Sequence, residues 1–333
     1  MRRYRIQLYD LVYLKSVCAS KHIHFAFCAV AQQIGICFFS GCVVKLGKRK
    51  VTVMGKKQVF VMLGQSNALG HGLAMAPEDR IETPLKNVWG LHREQNQRYD
   101  PETLYWSGYT SDGMNVAETQ DHTYSVPNIL AKLWQDAIDS GKNLPDLYIV
   151  QVAIGAQGVY PGNMWHPDYP RILIPGKLGT VKMALYPLTM QILALLSESL
   201  GDFEILGIHW RGNENDAYRF EPDMQAQVTG FFEKLLADLD RLLEKPPLVL
   251  HRLACPDRFR DRDPSGRMNE NMDWINGLYD RLAQRENVSV FDVTKCPDFI
   301  PDIRGNGIFK EDMVHFTAPV NRWVAQQILE KFI

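Results

Sequence analysis

Apolar and polar positions along the chain fall into two alternating rhythms. Short unbroken apolar runs, Val59–Leu63, Leu147–Gly155, Phe203–Trp210, Pro247–Ala254 and Val288–Val293, have the β-branched content and abrupt endings of buried strands. Between them lie stretches with apolar residues at helical spacing. Tyr124–Asp139 is the clearest, with Val126, Ile129, Leu130, Leu133, Trp134 and Ala137 on one stripe. Met183–Leu200, Met224–Glu244, Asp273–Arg285 and Thr317–Phe332 also read as helices. Strands without polar alternation, separated by helices, predict a parallel sheet covered on both faces: a three-layer α/β/α sandwich of flavodoxin-like type. Two long connections, Ala74–His122 and Val159–Lys177, read as loops, and no internal repeat interrupts the pattern.

In such a sheet, ligands gather beyond the carboxyl ends of the strands. The first strand ends in Gly64-Gln65-Ser66-Asn67, followed by small residues that open a helix. A serine at a strand-to-helix turn either caps the helix or exposes a hydroxyl beside N–H groups able to receive a developing negative charge. The G-x-S-x-G elbow is absent, because residue 68 is Ala. A base is available near the other end. Asp312 and His315 stand three residues apart before the closing helix, a spacing that lets a carboxylate orient an imidazole. Solvated turn chemistry is the alternative for that pair.

Composition adds limits. The chain has 333 residues, 46% hydrophobic and 23% charged, with a net charge of -1. That balance gives no broad attraction to nucleic acid. Residues 1–55 hold nine Lys/Arg and one acid, Asp10, so a basic leader precedes an acidic body. The body, 56–333, reads as one domain. Within the leader, His24–Val44 is about long enough to cross a bilayer. Three readings stay open for it: an export signal or membrane anchor, an added structural segment, or sequence upstream of a start at Met54. The first implies export or membrane association through residues 24–44; the last implies a cytoplasmic protein. Cys18, Cys28, Cys37 and Cys42 fall in the leader, Cys255 and Cys296 beyond it, with no C-x-x-C pair. The spacing indicates neither zinc nor a disulfide framework.

Gly64-Gln65-Ser66-Asn67 with Asp312-x-x-His315-Phe316-Thr317 resembles the SGNH hydrolase superfamily, and within it the sialate O-acetylesterase and acetylxylan esterase branch of carbohydrate esterases. The resemblance covers the body only. It implies serine esterase chemistry without a metal or other cofactor, acting on an acetylated carbohydrate through an acetyl-Ser66 intermediate. Ser66 would be the nucleophile, His315 the general base and acid, and Asp312 its orienting carboxylate. The implied oxyanion hole uses the Ser66 N–H, the N–H of Gly155 and a side-chain amide from a third block. That block departs from the branch pattern W-x-Q-G-E-N/S-D-A: the chain has Trp210-Arg211-Gly212-Asn213-Glu214-Asn215-Asp216-Ala217. Asn213 either supplies the amide one position late or is a turn asparagine.

Gln65 and Asn67 are expected to fix the serine turn by hydrogen bonding, and Glu214 to brace the site or lie at the surface. Tyr160, Trp165 and Tyr169, in an aromatic loop after the second strand, are candidates for a sugar platform, with simple packing as the alternative. His71, Trp106 and His166 are similar candidates. Competing functions are a general short-chain esterase, a metallophosphoesterase, and a carbohydrate-binding protein on the same scaffold. The second lacks a D-x-H on the first strand.

Overall fold

The computed structural model describes residues 56–97, 102–118, 120–170, 184–219, 222–254, 265–298 and 315–333. The leader, Cys255 and Asp312 lie outside these residues. Among the described residues seven strands form one sheet: β1 (Lys57–Gly64), β2 (Val88–Leu91), β3 (Trp106–Gly108), β4 (Leu147–Ala153), β5 (Phe203–Arg211), β6 (Leu248–His251) and β7 (Val288–Phe291). Their order is β3-β2-β4-β1-β5-β6-β7. Every pairing is parallel except β2 with β3.

The helices are α1 (Ser66–Leu69), α2 (Arg93–Asn96), α3 (Val126–Asp139), α4 (Leu185–Ala194), α5 (Leu196–Leu200), α6 (Glu214–Tyr218), α7 (Met224–Leu243), α8 (Arg267–Leu282) and α9 (Ala318–Leu329). They cover both faces of the sheet. On β1, Val59, Val61 and Leu63 pack into a core with α4, α7 and α8. Phe60 and Met62 point into the opposite core, with α3 and α9. Two-sided burial is why this strand reads as an unbroken apolar run.

The sequence reading differs from the structure at three places. The expected loop Ala74–His122 contributes β2 and β3, which add an antiparallel edge. These strands are four and three residues long. Each contains a glycine, so neither has a run long enough to register as a strand. The expected Met183–Leu200 helix is divided at Leu195 into α4 and α5. The expected Asp273–Arg285 helix begins earlier, at Arg267.

Candidate active site

Register brings three candidate segments to one rim. Gly64 pairs with Ala153 on β4 and with Arg211 on β5. Two residues beyond these partners stand Ser66, Gly155 and Asn213. Gly64 has φ of 142°, and a Cβ there would lie 2.0 Å from the Arg211 carbonyl oxygen. Only glycine allows the chain to pass so close to β5. The next residue, Gln65, donates its main-chain N–H to that same oxygen at 3.1 Å. Ser66 then opens α1, 8% exposed. A Cβ built on Gly155 would meet only the Ser66 Cβ, at 4.0 Å, so the two residues face each other without obstruction.

The amides flanking the serine converge on one carboxylate. Gln65 Nε2 donates to Glu214 Oε2 and Asn67 Nδ2 to Glu214 Oε1, each at 2.6 Å. All three residues are buried. Glu214 therefore lies beneath the turn with both oxygens engaged by neutral donors, which are geometrically selective without adding charge. Asn67 also accepts the Phe316 main-chain N–H on its side-chain oxygen at 3.0 Å. This bond brings the segment carrying His315 to the turn carrying Ser66. The His315 ring is 5.0 Å from that of His71, whose Nδ1 lies 3.1 Å from Gln120 Oε1. Thr317 takes the N-cap position of α9 but makes no side-chain cap bond.

Asn213 has φ of 80°, the left-handed conformation in which glycine is the default and asparagine the common substitute. Its side-chain oxygen accepts from Trp210 Nε1 at 2.6 Å and from the Tyr279 hydroxyl at 2.7 Å. Its amide nitrogen donates to Asp216 Oδ2 at 2.8 Å. The amide is thus engaged in shaping the turn into α6. Asp216 also accepts the Val159 N–H at 2.8 Å, which ties the block to the loop after β4. Burial pushes the Asp216 carboxyl up to about 6, with the charge of Glu214 adding to the shift against the hydrogen bonds it accepts.

Of the aromatic candidates, Trp165 and Tyr160 are packed. Trp165 is 1% exposed; its indole N–H donates to the Gly64 carbonyl at 2.9 Å, and its ring meets Trp210 edge to face at 5.0 Å. It braces the end of β1 from below and presents no open face. Tyr160 is also buried, with the Arg219 guanidinium over its ring at 4.9 Å and Asn215 Nδ2 at 3.4 Å from its hydroxyl. Trp106, on the edge strand β3, donates its indole N–H to Ser199 of α5. His166 accepts the Asp168 N–H within its own loop.

Two residues near these segments escaped the sequence reading. Glu118 Oε2 lies 3.4 Å from the Gly155 nitrogen. Arg93 anchors its backbone, donating to the Glu118 carbonyl at 2.8 Å while forming a two-point pair with Asp121 at 3.0 Å. Tyr218 is 56% exposed at the end of α6, four residues beyond Glu214 and hence on the same helix face. No motif marks either residue.

No family model and no curated protein matches the sequence. Solved structures do match. NanS aligns with a TM-score of 0.54 at 16% identity, over 83% of this chain and 97% of its own. An Arabidopsis thaliana protein aligns with a TM-score of 0.50 at 16% identity, over 84% of this chain and 100% of its own. Est24, a carbohydrate acetylesterase from Sinorhizobium meliloti, aligns with a TM-score of 0.37 at 16% identity, over 83% and 100%. The chain shares the α/β fold of NanS and of the Arabidopsis protein.

Proposed function

We propose that the chain is a serine ester hydrolase that removes O-acetyl groups from carbohydrate through an acetyl-Ser66 intermediate. The observation that carries this reading is the Asn67–Phe316 bond, which unites the serine turn with the histidine segment. In this reading His315 takes the Ser66 hydroxyl proton as the oxygen attacks the ester carbonyl. The negative charge then moves to the carbonyl oxygen, received by the N–H groups of Ser66 and Gly155. His315 returns the proton to the departing sugar oxygen as the C–O bond breaks. A water molecule, deprotonated by His315, attacks the acetyl group and releases acetate and free Ser66. Asp312 is assigned the orienting role by the motif alone.

Asn213 is assigned here to turn geometry, since its side chain already serves Trp210, Tyr279 and Asp216. The carbohydrate part of the proposal rests on the resemblance of the serine and histidine blocks to carbohydrate esterases. Acetate release from p-nitrophenyl acetate, acetylated xylan and O-acetylated sialic acid, for wild type and Ser66→Ala, tests the whole reading. Turnover by the wild type on an acetylated sugar, abolished in the variant, is expected. Turnover that survives Ser66→Ala removes the serine mechanism, and sugar binding without hydrolysis makes the chain a binding protein.

A further inference from the structure

Arg211, the last residue of β5, is 1% exposed. Its main-chain oxygen accepts the Gln65 N–H, one residue before Ser66. Its side chain reaches the histidine segment. Nη1 donates to Asn321 Oδ1 at 2.7 Å, and the guanidinium carbon lies 4.6 Å from the centre of the Phe316 ring. Asn321, on α9, in turn donates to the Tyr124 carbonyl at 2.9 Å. Nε and Nη2 are buried and meet no hydrogen-bond acceptor among the described residues. Glu214 attracts the guanidinium only through space, and burial pushes Arg211 down to about 9.

Among the described residues no carboxylate contacts this buried cation; such a placement opposes folding, and an apolar side chain of similar length is commonly as stable or more so. Stability is therefore a poor account of this residue. What a guanidinium supplies here, and an apolar chain does not, is direction: a planar face on Phe316 and a donor fixed on Asn321. We propose that Arg211 is a positioning residue for His315, joining the serine turn through its carbonyl to the histidine segment through Phe316 and Asn321. Its function is to set the separation of the two reacting side chains. The inference rests on the esterase reading above.

The test compares Arg211→Met, Arg211→Lys and Ser66→Ala with the wild type, measuring kcat and KM on p-nitrophenyl acetate beside thermal melting. Arg211→Met is expected to melt near the wild-type temperature, relief of the buried charge offsetting the Asn321 oxygen left without its donor, with kcat reduced about 100-fold, the effect of an ångström-scale misplacement. KM should stay nearly unchanged. Arg211→Lys, which keeps the charge and one donor, is expected to recover part of kcat. Retained kcat in Arg211→Met overturns the inference, as does a loss that merely follows the unfolded fraction with Lys no better than Met. If Arg211→Met does not fold, Phe316→Leu takes its place: lowered kcat at unchanged KM supports the inference, and wild-type kcat overturns it. An active Ser66→Ala overturns the esterase reading itself, a different outcome from an active Arg211→Met beside a dead Ser66→Ala.

Discussion

The main-chain N–H of Phe316 donates to the side-chain oxygen of Asn67 at 3.0 Å, joining residues 249 positions apart. The same asparagine donates to Glu214 from its nitrogen. One side chain thus couples the serine turn, the buried carboxylate and the histidine segment. Asn67→Ala removes both bonds, each made to a buried group. A stability loss of about 1–3 kcal/mol is expected in denaturant melts. The kcat on p-nitrophenyl acetate should fall about 10- to 100-fold beyond what unfolding explains. An unchanged kcat in the folded variant would remove Asn67 from the assembly of the site.

Glu118 stands where an ester oxygen would approach Gly155, its Oε2 3.4 Å from the main-chain nitrogen. In the proposed mechanism the substrate oxygen displaces this long contact to reach the N–H. Glu118→Ala is expected to raise kcat/KM for p-nitrophenyl acetate about threefold, the order of one weak hydrogen bond. Steady-state kinetics decide it. A decrease would make Glu118 a contact of the substrate.

Tyr218 offers the open aromatic face that Trp165 and Tyr160 do not, being 56% exposed one helical turn beyond Glu214. A sugar ring stacked there would gain about 1 kcal/mol. Tyr218→Ala is expected to raise KM for an acetylated oligosaccharide about fivefold on that basis, leaving p-nitrophenyl acetate kinetics alone. Equal effects on both substrates would place Tyr218 outside sugar recognition.

His209 and His251 form a buried pair, Nδ1 of the first 2.9 Å from Nε2 of the second, with His209 tilted against Phe60 and His251 stacked on Phe291. Burial pushes His209 down to about 3 and His251 well below its ordinary value; the charge of Arg211 acts in the same direction on both. In the unfolded chain both titrate near 6.5. Below that pH the unfolded chain takes up protons that the folded pair refuses. The stabilisation is therefore complete above pH 6.5 and declines as pH falls, by up to ~1.4 kcal/mol per pH unit for each proton. Asp216, pushed up to about 6 from 3.8, acts oppositely, binding its proton first in the folded state. Two groups against one leave a net loss. Denaturant melts from pH 7.5 to 4.5 should show decreasing stability, with a steeper slope in Asp216→Asn. A flat profile would contradict a neutral buried pair.

The legible parts of this fold are those whose signal is local. β1 and β4 announce themselves because both faces are buried, and their ends place Ser66 and Gly155 at a common rim by register. Asn213 follows by the same count along β5. β2 and β3 carry too few residues to show a period. Trp165 lies in a proline-stiffened aromatic loop whose composition suits an open platform and a packed brace equally. Its bond to Gly64 spans 101 residues and depends on the assembled fold. Arg211 reads as an ordinary charge at a strand end; the elements that bury it, the Phe316 segment and α9, arrive more than a hundred residues later.

The two halves of the proposed catalytic pair are secured very differently. Ser66 springs from the innermost strand of the sheet, and its main chain can open only when the whole domain melts. His315 precedes α9, a helix that packs on α3 outside the sheet, and a helix docked on a sheet can open at a lower free energy than the central strand. If the esterase reading holds, heating should silence turnover of p-nitrophenyl acetate while circular dichroism still records an intact sheet, and prompt cooling should restore it in full.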